Sequence, residues 1–592
     1  MKNSIKSLKR LWTYIRPYQL MFWFSVFFTV SFVALNAVLP YVTGLPTTEI
    51  LKNVTNKETI NFNYILMTIF WMLVITVLYS LAQYFGQVLM TKVVQRAMKD
   101  LRTDIAEKIN RLPVSYFDTH QQGEVLSRVT NDVDAVSNAM QQSFMAVITA
   151  FLGITMAGTM MFVLNVQMAL IAILMIPASI LLSRYIVSKS QKYFQEQQNA
   201  LGDLNGYVTE NMTGFNVLKL YGREEQSLDG FKEVSHRLSH FGFKSAFISG
   251  LMMPLVQFTA YIAYIVVAVL GSFFIIAGSL TVGNLQAFIQ YIWQVNQPMG
   301  QVTQLAAVLQ SASASTTRIF EILDEEEELV NDQDTPVPAT VEGHVKFEHV
   351  AFSYDERKPL IKDLSFEVKP GQTVAIVGPT GAGKTTLINL LMRFYDVDSG
   401  AIKIDGIDMK RMNRSEVRSL FGMVLQDAWL YHDTIGENIR FGKLDATDYE
   451  VVDAAKTANV HHFIRTMPNG YEMAIDEEAG NVSLGQKQLL TIARAVISNP
   501  KILILDEATS SVDTRLEALI QKAMARVMEG RTSFVIAHRL STIRDADLIL
   551  VMNQGEIIEQ GTHDELLATG GFYEQLYNSQ FDEEGDYEEV LS

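Results

Sequence analysis

Four stretches of this chain carry no Asp, Glu, Lys or Arg: 17–48, 59–91, 135–183 and 245–317. A helix needs about 20 apolar residues to cross roughly 30 Å of hydrocarbon, and one charge at its centre costs about 2.5–3.5 kcal/mol. The segments 18–42 and 64–85 each supply one such span. The run 135–183 is long enough for two, turning at Asn165-Val166-Gln167. The run 245–317 also fits two, turning near Gly278-Ser279-Leu280-Thr281-Val282-Gly283. Six crossings are expected, and a wholly soluble protein is excluded.

Basic residues orient these spans. Lys2, Lys6, Lys9, Arg10 and Arg16 precede the first; seven Lys and Arg fall in 92–134 and eight in 184–244. The intervening turns hold only Lys52 and Lys57. Positive-inside bias therefore places both termini and both long loops in the cytoplasm, in a multi-pass protein of the cytoplasmic (inner) cell membrane. No small-residue cleavage site follows the basic N-terminus, so the first helix is expected to be retained. The long loops keep helical periodicity apart from Pro113, so helices are expected to project past the bilayer. They would turn at 112–118 and at 210–225, the latter containing Thr213-Gly214-Phe215. Plain solvated hairpins are the alternative.

Beyond residue 317 the pattern changes. Asp324 to Glu328, Asn331-Asp332-Gln333-Asp334 and two prolines read as a linker, and Asp582-Glu583-Glu584-Gly585-Asp586 as a disordered acidic tail. The expected plan is a transmembrane domain over 1–317, an acidic linker over 318–341, a soluble domain over 342–580 and a tail over 581–592.

Charge sharpens this division. The 592 residues hold 48 Lys and Arg against 64 Asp and Glu, a net charge of −16. Residues 1–317 carry +6 and 318–592 carry −22. An acidic soluble half speaks against nucleic acid as a partner, because phosphate binding needs concentrated Lys and Arg. The chain has no cysteine, which excludes disulfides, cysteine-ligated zinc and thiol catalysis.

The soluble half carries the chemistry. The β-rich run Thr373-Val374-Ala375-Ile376-Val377 leads into Gly378-Pro379-Thr380-Gly381-Ala382-Gly383-Lys384-Thr385, and a helical stretch, 386–394, follows. This is GxxxxGK[ST] in a strand–loop–helix setting. Its backbone N–H groups and helix N-terminus suit the phosphates of ATP. Lys384 suits the β- and γ-phosphates, the Thr385 hydroxyl suits Mg²⁺, and Thr386 belongs to the same cradle. About 120 residues on, the apolar run Lys501-Ile502-Leu503-Ile504-Leu505 ends in Asp506-Glu507. Asp506 suits the magnesium shell, directly or through water, and Glu507 suits a water attacking the γ-phosphate.

Together these motifs make the half from Gly343 to about Gln580 resemble the nucleotide-binding domain of ABC transporters. With six helices before it, the chain resembles an ABC exporter half-transporter. The fold class implied is an all-α six-helix transmembrane domain with long cytoplasmic extensions, fused to an α/β P-loop ATP-binding cassette. Asn481-Val482-Ser483-Leu484-Gly485-Gln486 stands where the family carries its signature, and Gln426 matches the Q-loop. Ser511-Val512-Asp513 matches the D-loop, His538 the switch histidine, and Tyr354 the aromatic that stacks on adenine. The resemblance implies that Ser483, Gly485 and Gln486 clamp a γ-phosphate held by the opposite subunit. It implies that Gln426 senses Mg²⁺ and the attacking water, and that His538 reports the γ-phosphate. Phe117 and Gly214-Phe215 become candidates for the cytoplasmic segments that dock on nucleotide domains. Glu477 lies where exporters carry a loop contacting them, although Asp476-Glu477-Glu478-Ala479 departs from the usual pattern.

The resemblance implies ATP-driven export. An ATP-gated channel, or a P-loop enzyme tethered to the membrane, are the competing classes; six spans exceed what an anchor requires. Met and aromatic residues among the helices, such as Met67, Phe70, Trp71, Met145 and Trp293, can repack around small hydrophobic or cationic substrates. Multidrug or lipid-like cargo is expected, with a peptide as a further alternative. The third signature position, glycine in the family pattern, is Leu484. Its bulk at a γ-phosphate contact, beside a complete set of Lys384, Asp506, Glu507 and His538, points to a heterodimer with a different half-transporter. That arrangement resembles the heterodimeric multidrug exporters of Gram-positive bacteria; a homodimer is the alternative.

Overall fold

The computed structural model describes residues 2–328, 340–355, 357–425, 428–476, 480–506, 514–536 and 543–579. The chain forms two compact units: 1–112 with 120–327, and 113–119 with 328–592.

The first unit is helical throughout. Its elements are α1 (Lys2–Ile15), α2 (Gln19–Thr55), α3 (Phe62–Arg111), α5 (Gln122–Ser127), α6 (Val133–Leu164), α7 (Val166–Thr213), α8 (Phe215–Leu220), α9 (Glu224–Gly250), α10 (Met252–Ile276) and α11 (Val282–Asp324). The remaining helix in this stretch, α4 (Val114–Thr119), groups with the second unit. Among the described residues, four helical stretches are long and apolar enough to cross a membrane: Lys9–Thr55, Phe62–Arg111, Gln122–Leu164 and Gln257–Ile276.

Local chemistry sets the ends of these helices. Asn165 caps α7 by accepting from the Met168 N–H at 3.1 Å, so the expected polar turn is a helix start. Thr281 caps α11 in the same way, accepting from the Asn284 N–H at 3.2 Å. α11 continues to Asp324, into the stretch expected as linker. Arg318 on this extension pairs with Asp132, the Arg318 Nε donating to Oδ2 at 2.8 Å. Asp132 closes a widened turn, 128–132, between α5 and α6.

Packing of α2 on its neighbours relies on small residues and interhelical hydrogen bonds, the usual cohesion of helices in lipid. The Ser25 hydroxyl donates to the Gly86 carbonyl at 2.6 Å. Pro40 has no N–H to return to the Asn36 carbonyl, and the Gln294 side chain of α11 donates to that oxygen at 3.0 Å. The Tyr291 hydroxyl donates to the Ala37 carbonyl at 2.7 Å. Gly44 and Gly283 bring the two backbones together: a Cβ on Gly283 would lie 1.9 Å from the Gly44 carbonyl oxygen, and one on Gly44 2.3 Å from that of Gly283. Gly283→Ala is therefore expected to force α2 and α11 apart at about 1–3 kcal/mol, the usual cost of overpacking. A thermal melt of the purified protein would register this as a lowered midpoint; an unchanged midpoint would show that the contact is not made.

The second unit holds two sheets. A four-stranded antiparallel sheet has the order β2-β1-β4-β5, built from β1 (Val345–Phe352), β2 (Ile361–Val368), β4 (Ser399–Ile404) and β5 (Ile407–Asp408). A six-stranded sheet has the order β10-β9-β3-β8-β7-β6, built from β3 (Thr373–Val377), β6 (Phe421–Val424), β7 (Ile502–Asp506), β8 (Thr532–Ile536), β9 (Leu548–Asn553) and β10 (Glu556–Gly561). Helices α12 (Lys384–Leu391) to α17 (Leu484–Ile497) lie between β3 and β7 in the chain, and α18 (Thr514–Met528) follows β7. β3 pairs in parallel with β8 and β9, and β7 with β6 and β8. These strands are near-continuous apolar runs because both faces of a parallel sheet are covered; β7 and β8 bury Leu503, Ile504, Phe534 and Val535 completely.

Candidate functional site

The register of the large sheet assembles the site. Val424 pairs with Leu505, Asp506 with Ile536, and Ile376 with Ile536. The carboxyl ends of β6, β7, β8 and β3 thus share one edge, the place where open α/β sheets bind ligands. Gly378, Gln426, Glu507 and Ala537-His538 lie at or just beyond these strand ends in sequence. Gln426, Glu507 and His538 fall outside the described residues, as do Glu477 and Ser511-Val512-Asp513.

The phosphate loop is described in full. Gly378, Gly381 and Gly383 have φ of +154°, +82° and +102°, a backbone that side chains resist. At Gly378 space also forbids a side chain, since a Cβ would lie 2.2 Å from the Met552 carbonyl oxygen of β9. Pro379 accepts from the Ala382 N–H at 3.1 Å, and Ala382 accepts from the Gly555 N–H at 3.0 Å, which braces the loop against the β9–β10 turn. Thr380 completes the loop between Pro379 and Gly381. Gly383 precedes α12 with no side-chain cap, so the first N–H groups of that helix have no intrahelical partner. The expected helix over 386–394 is corrected at both ends. It begins at Lys384, where the left-handed Gly383 releases the chain, and ends at Leu391, ahead of Arg393 with φ +51°.

Lys384 Nζ donates to the carbonyls of Gly378 at 2.6 Å and Pro379 at 3.1 Å, holding the ammonium over the loop. Burial pushes its pKa down, and Asp506 opposes that shift. Asp506 therefore lies within electrostatic reach of Lys384. The Thr385 side chain is exposed at the helix start. One hydroxyl and one carboxylate are hard oxygen donors that suit Mg²⁺, which takes few protein ligands and completes its shell with phosphate oxygens and water. Among the described residues no group of three His, Cys, Asp or Glu could hold a metal unaided. Thr386, by contrast, is buried and its hydroxyl accepts from the Tyr354 hydroxyl at 3.3 Å. Asn389 donates to the same Tyr354 oxygen at 3.3 Å. Tyr354 packs edge-on against Phe352 and Tyr395 and stays 51% exposed, an aromatic surface beside the loop.

The signature segment has its own logic. Ser483 is the N-cap of α17 in a capping box: its N–H donates to Gln486 Oε1 at 2.8 Å, and its hydroxyl accepts from the Gln486 N–H at 3.4 Å. Gly485 is buried, whereas Leu484 projects from the first turn and is 44% exposed.

Two features had no signal in the sequence reading. Asp118 of α4 accepts from the Tyr395 hydroxyl at 2.5 Å, which ties the turning segment next to Phe117 into the second unit. Arg494 of α17 donates to Asn438 Oδ1 at 3.0 Å and lies over the Phe441 ring at 5.2 Å. Its burial lowers its pKa. Phe215, the other docking candidate, is exposed on α8 in the first unit.

Comparison with known proteins agrees with this geometry. The family model described as the ABC transporter transmembrane region matches residues 22–299, and that described as ABC transporter matches 361–510. A fatty acid ABC transporter ATP-binding/permease protein of Mycobacterium bovis is 47% identical over 82% of this chain and 77% of its own length. The ABC transporter ATP-binding protein YfiC of Bacillus subtilis is 38% identical over 98% of this chain and 95% of its own. An ATP-dependent lipid A-core flippase of Syntrophus aciditrophicus is 35% identical over 86% and 84%. A phosphate loop at the edge of a parallel sheet, fused to long apolar helices and matched over 82–98% of the chain by these relatives, identifies the chain as a member of the ABC transporters, an exporter that couples ATP hydrolysis to transport.

Proposed function

We infer that this chain is one half of an ATP-driven exporter of hydrophobic or amphipathic compounds, working by alternating access across the cytoplasmic membrane. It crosses that membrane six times with both termini in the cytoplasm. The observation that carries the ATP-driven reading is the cradle of Gly378, Gly381 and Gly383, with Lys384 held over it and Asp506 within electrostatic reach of that lysine. Bound ATP with Mg²⁺ supplies the hydrolysable γ-phosphate. The chain's part is to hold the phosphates with backbone N–H groups and Lys384, to place the Thr385 hydroxyl and Asp506 carboxylate for Mg²⁺, and to offer Tyr354 to adenine. Glu507 then orients or deprotonates the attacking water, and Gln426 and His538 sense the γ-phosphate. The names of the fatty acid transporter and the lipid A flippase among its relatives favour lipid-like cargo within this class.

The partner is a different half-transporter with a degenerate catalytic site. Leu484 supports this reading, because its exposed side chain stands at the helix start that Ser483 caps. An opposing γ-phosphate would need close backbone approach there. With an intact signature on the partner, this chain's complete set forms one efficient site, and the site using Leu484 binds ATP and hydrolyses it poorly. The apolar residues Phe215, Val217, Leu220 and Tyr221, exposed on and beside α8, offer a surface for such a second chain. Expressed and purified alone, this chain is expected to show little transport or substrate-stimulated ATPase activity until a second subunit is co-expressed. A stable homodimer with full stimulated activity would establish the homodimeric exporter instead.

A further inference from the structure

Helices α2, α3, α6 and α11 line a half-open cavity of about 1100 Å³ in the first unit. This exceeds the 300–1,000 Å³ typical of sites for drug-sized ligands. The lining includes apolar groups, Phe32 and Val33 of α2 with Met145 and Ala150 of α6, beside the hydroxyls of Thr29 and Thr149. It also includes amides: Gln83 and Gln87, one turn apart on α3, and Gln142 on α6. Gln294, also lining the cavity, is committed to the Asn36 carbonyl. Gln83, Gln87 and Gln142 have no hydrogen-bond partner among the described residues. Uncommitted amides on helices that cross a membrane are costly, and mark a wetted or ligand-bearing surface.

Amides serve either sign of charge, so the sign is set elsewhere. Among the described residues the lining contains Lys92 and no Asp or Glu. Lys92 is exposed and has no ion-pair or hydrogen-bond partner among the described residues. One turn further along α3, outside the lining, Arg96 lies over the Tyr18 ring at 5.8 Å, and the Tyr18 hydroxyl donates to Asp100 at 2.8 Å, so this neighbouring pair of charges offsets itself and leaves Lys92 to set the sign. Coulomb attraction to Lys92 therefore favours an anionic group over a cationic one at this place in the lining.

We propose that this cavity binds an amphiphile bearing a single negative charge. The acidic head pairs with Lys92 and accepts from Gln87, and the aliphatic part lies along Phe32 and Met145. The proposal rests on the exporter reading and names its cargo class. It reverses the cationic preference that the Met and aromatic content suggests. With Lys92 the one unpaired cation among the described lining residues, a second negative charge on the ligand would go uncompensated, so a monoanion fits. A free fatty acid and a phospholipid with one phosphodiester charge share this chemistry.

The test uses the full-length transporter, with its partner subunit where required, in nanodiscs of phosphatidylcholine. Binding of radiolabelled oleate, lysophosphatidylglycerol, oleyl alcohol and oleylamine is read without nucleotide, and vanadate-sensitive ATPase activity is read in parallel. Oleate or lysophosphatidylglycerol is expected to bind at least about tenfold more tightly than the alcohol or the amine, and the tighter of the two identifies the source of the charge. Lys92→Ala should lose that preference, Lys92→Arg should keep it, and Lys92→Glu should transfer it to oleylamine. The last is a gain that misfolding cannot imitate. Equal binding of amine and acid, or an unchanged preference in Lys92→Glu, would overturn the proposal. Absence of vanadate-sensitive turnover in the unaltered protein would count against the exporter reading, independently of what the cavity binds.

Discussion

Glu507→Gln is expected to leave ATP binding intact and to slow hydrolysis by about 10²–10⁴-fold, the range that a positioned general base contributes. β7 is an apolar strand, buried from Ile502 to Leu505, that ends in Asp506 at the edge shared with β3. Glu507 is the next residue in the chain. Asp506 suits the magnesium shell, which leaves the following carboxylate to act on water. The amide replacement keeps the size and the hydrogen-bonding reach of the side chain and removes only its basicity. Turnover measured on the purified transporter, beside binding of a fluorescent ATP analogue, separates the two steps. Near-normal turnover would remove Glu507 from the mechanism.

Lys384→Ala acts one step earlier, on nucleotide affinity. The ammonium is half-buried and held by two loop carbonyls, and burial has already pushed its pKa down. Phosphate oxygens arriving at the loop supply the negative charge that compensates this desolvation, so binding recovers what burial costs. Truncating one partner of a buried, hydrogen-bonded charge pair loses about 2–5 kcal/mol, which converts to a weakening of at least about thirtyfold. Equilibrium dialysis against ATP measures it directly. If Lys384 only braced the loop, the variant would melt at lower temperature and still bind ATP with unchanged affinity, and that result would remove it from the cradle. The two variants therefore divide the site, one losing chemistry with binding kept and the other losing binding itself.

Much of this protein is legible residue by residue, because the forces concerned are local. Absence of charge over 17–48 or 59–91 marks apolar helices, since hydropathy needs no partner to be read. Asn165 and Thr281 start α7 and α11 through hydrogen bonds that span three residues. The strand Thr373–Val377, its glycine loop and α12 follow from a motif whose glycines adopt the left-handed backbone that motif needs. What the sequence could not specify joins residues far apart in the chain. The Gly44–Gly283 approach, the Gln294 hydrogen bond to the carbonyl freed by Pro40, and the Arg318–Asp132 pair each depend on helices meeting in one register. The Tyr395–Asp118 bond spans 277 positions. In the site, the sheet register alone brings the ends of β3, β6, β7 and β8 to one edge. In the cavity, Lys92 becomes meaningful only because α2, α6 and α11 bring amides and apolar groups and, among the described residues, no carboxylate to the same space. Local propensity fixes which segments are helix, strand or loop; which side chains share a cavity is decided by packing, because that depends on every helix at once.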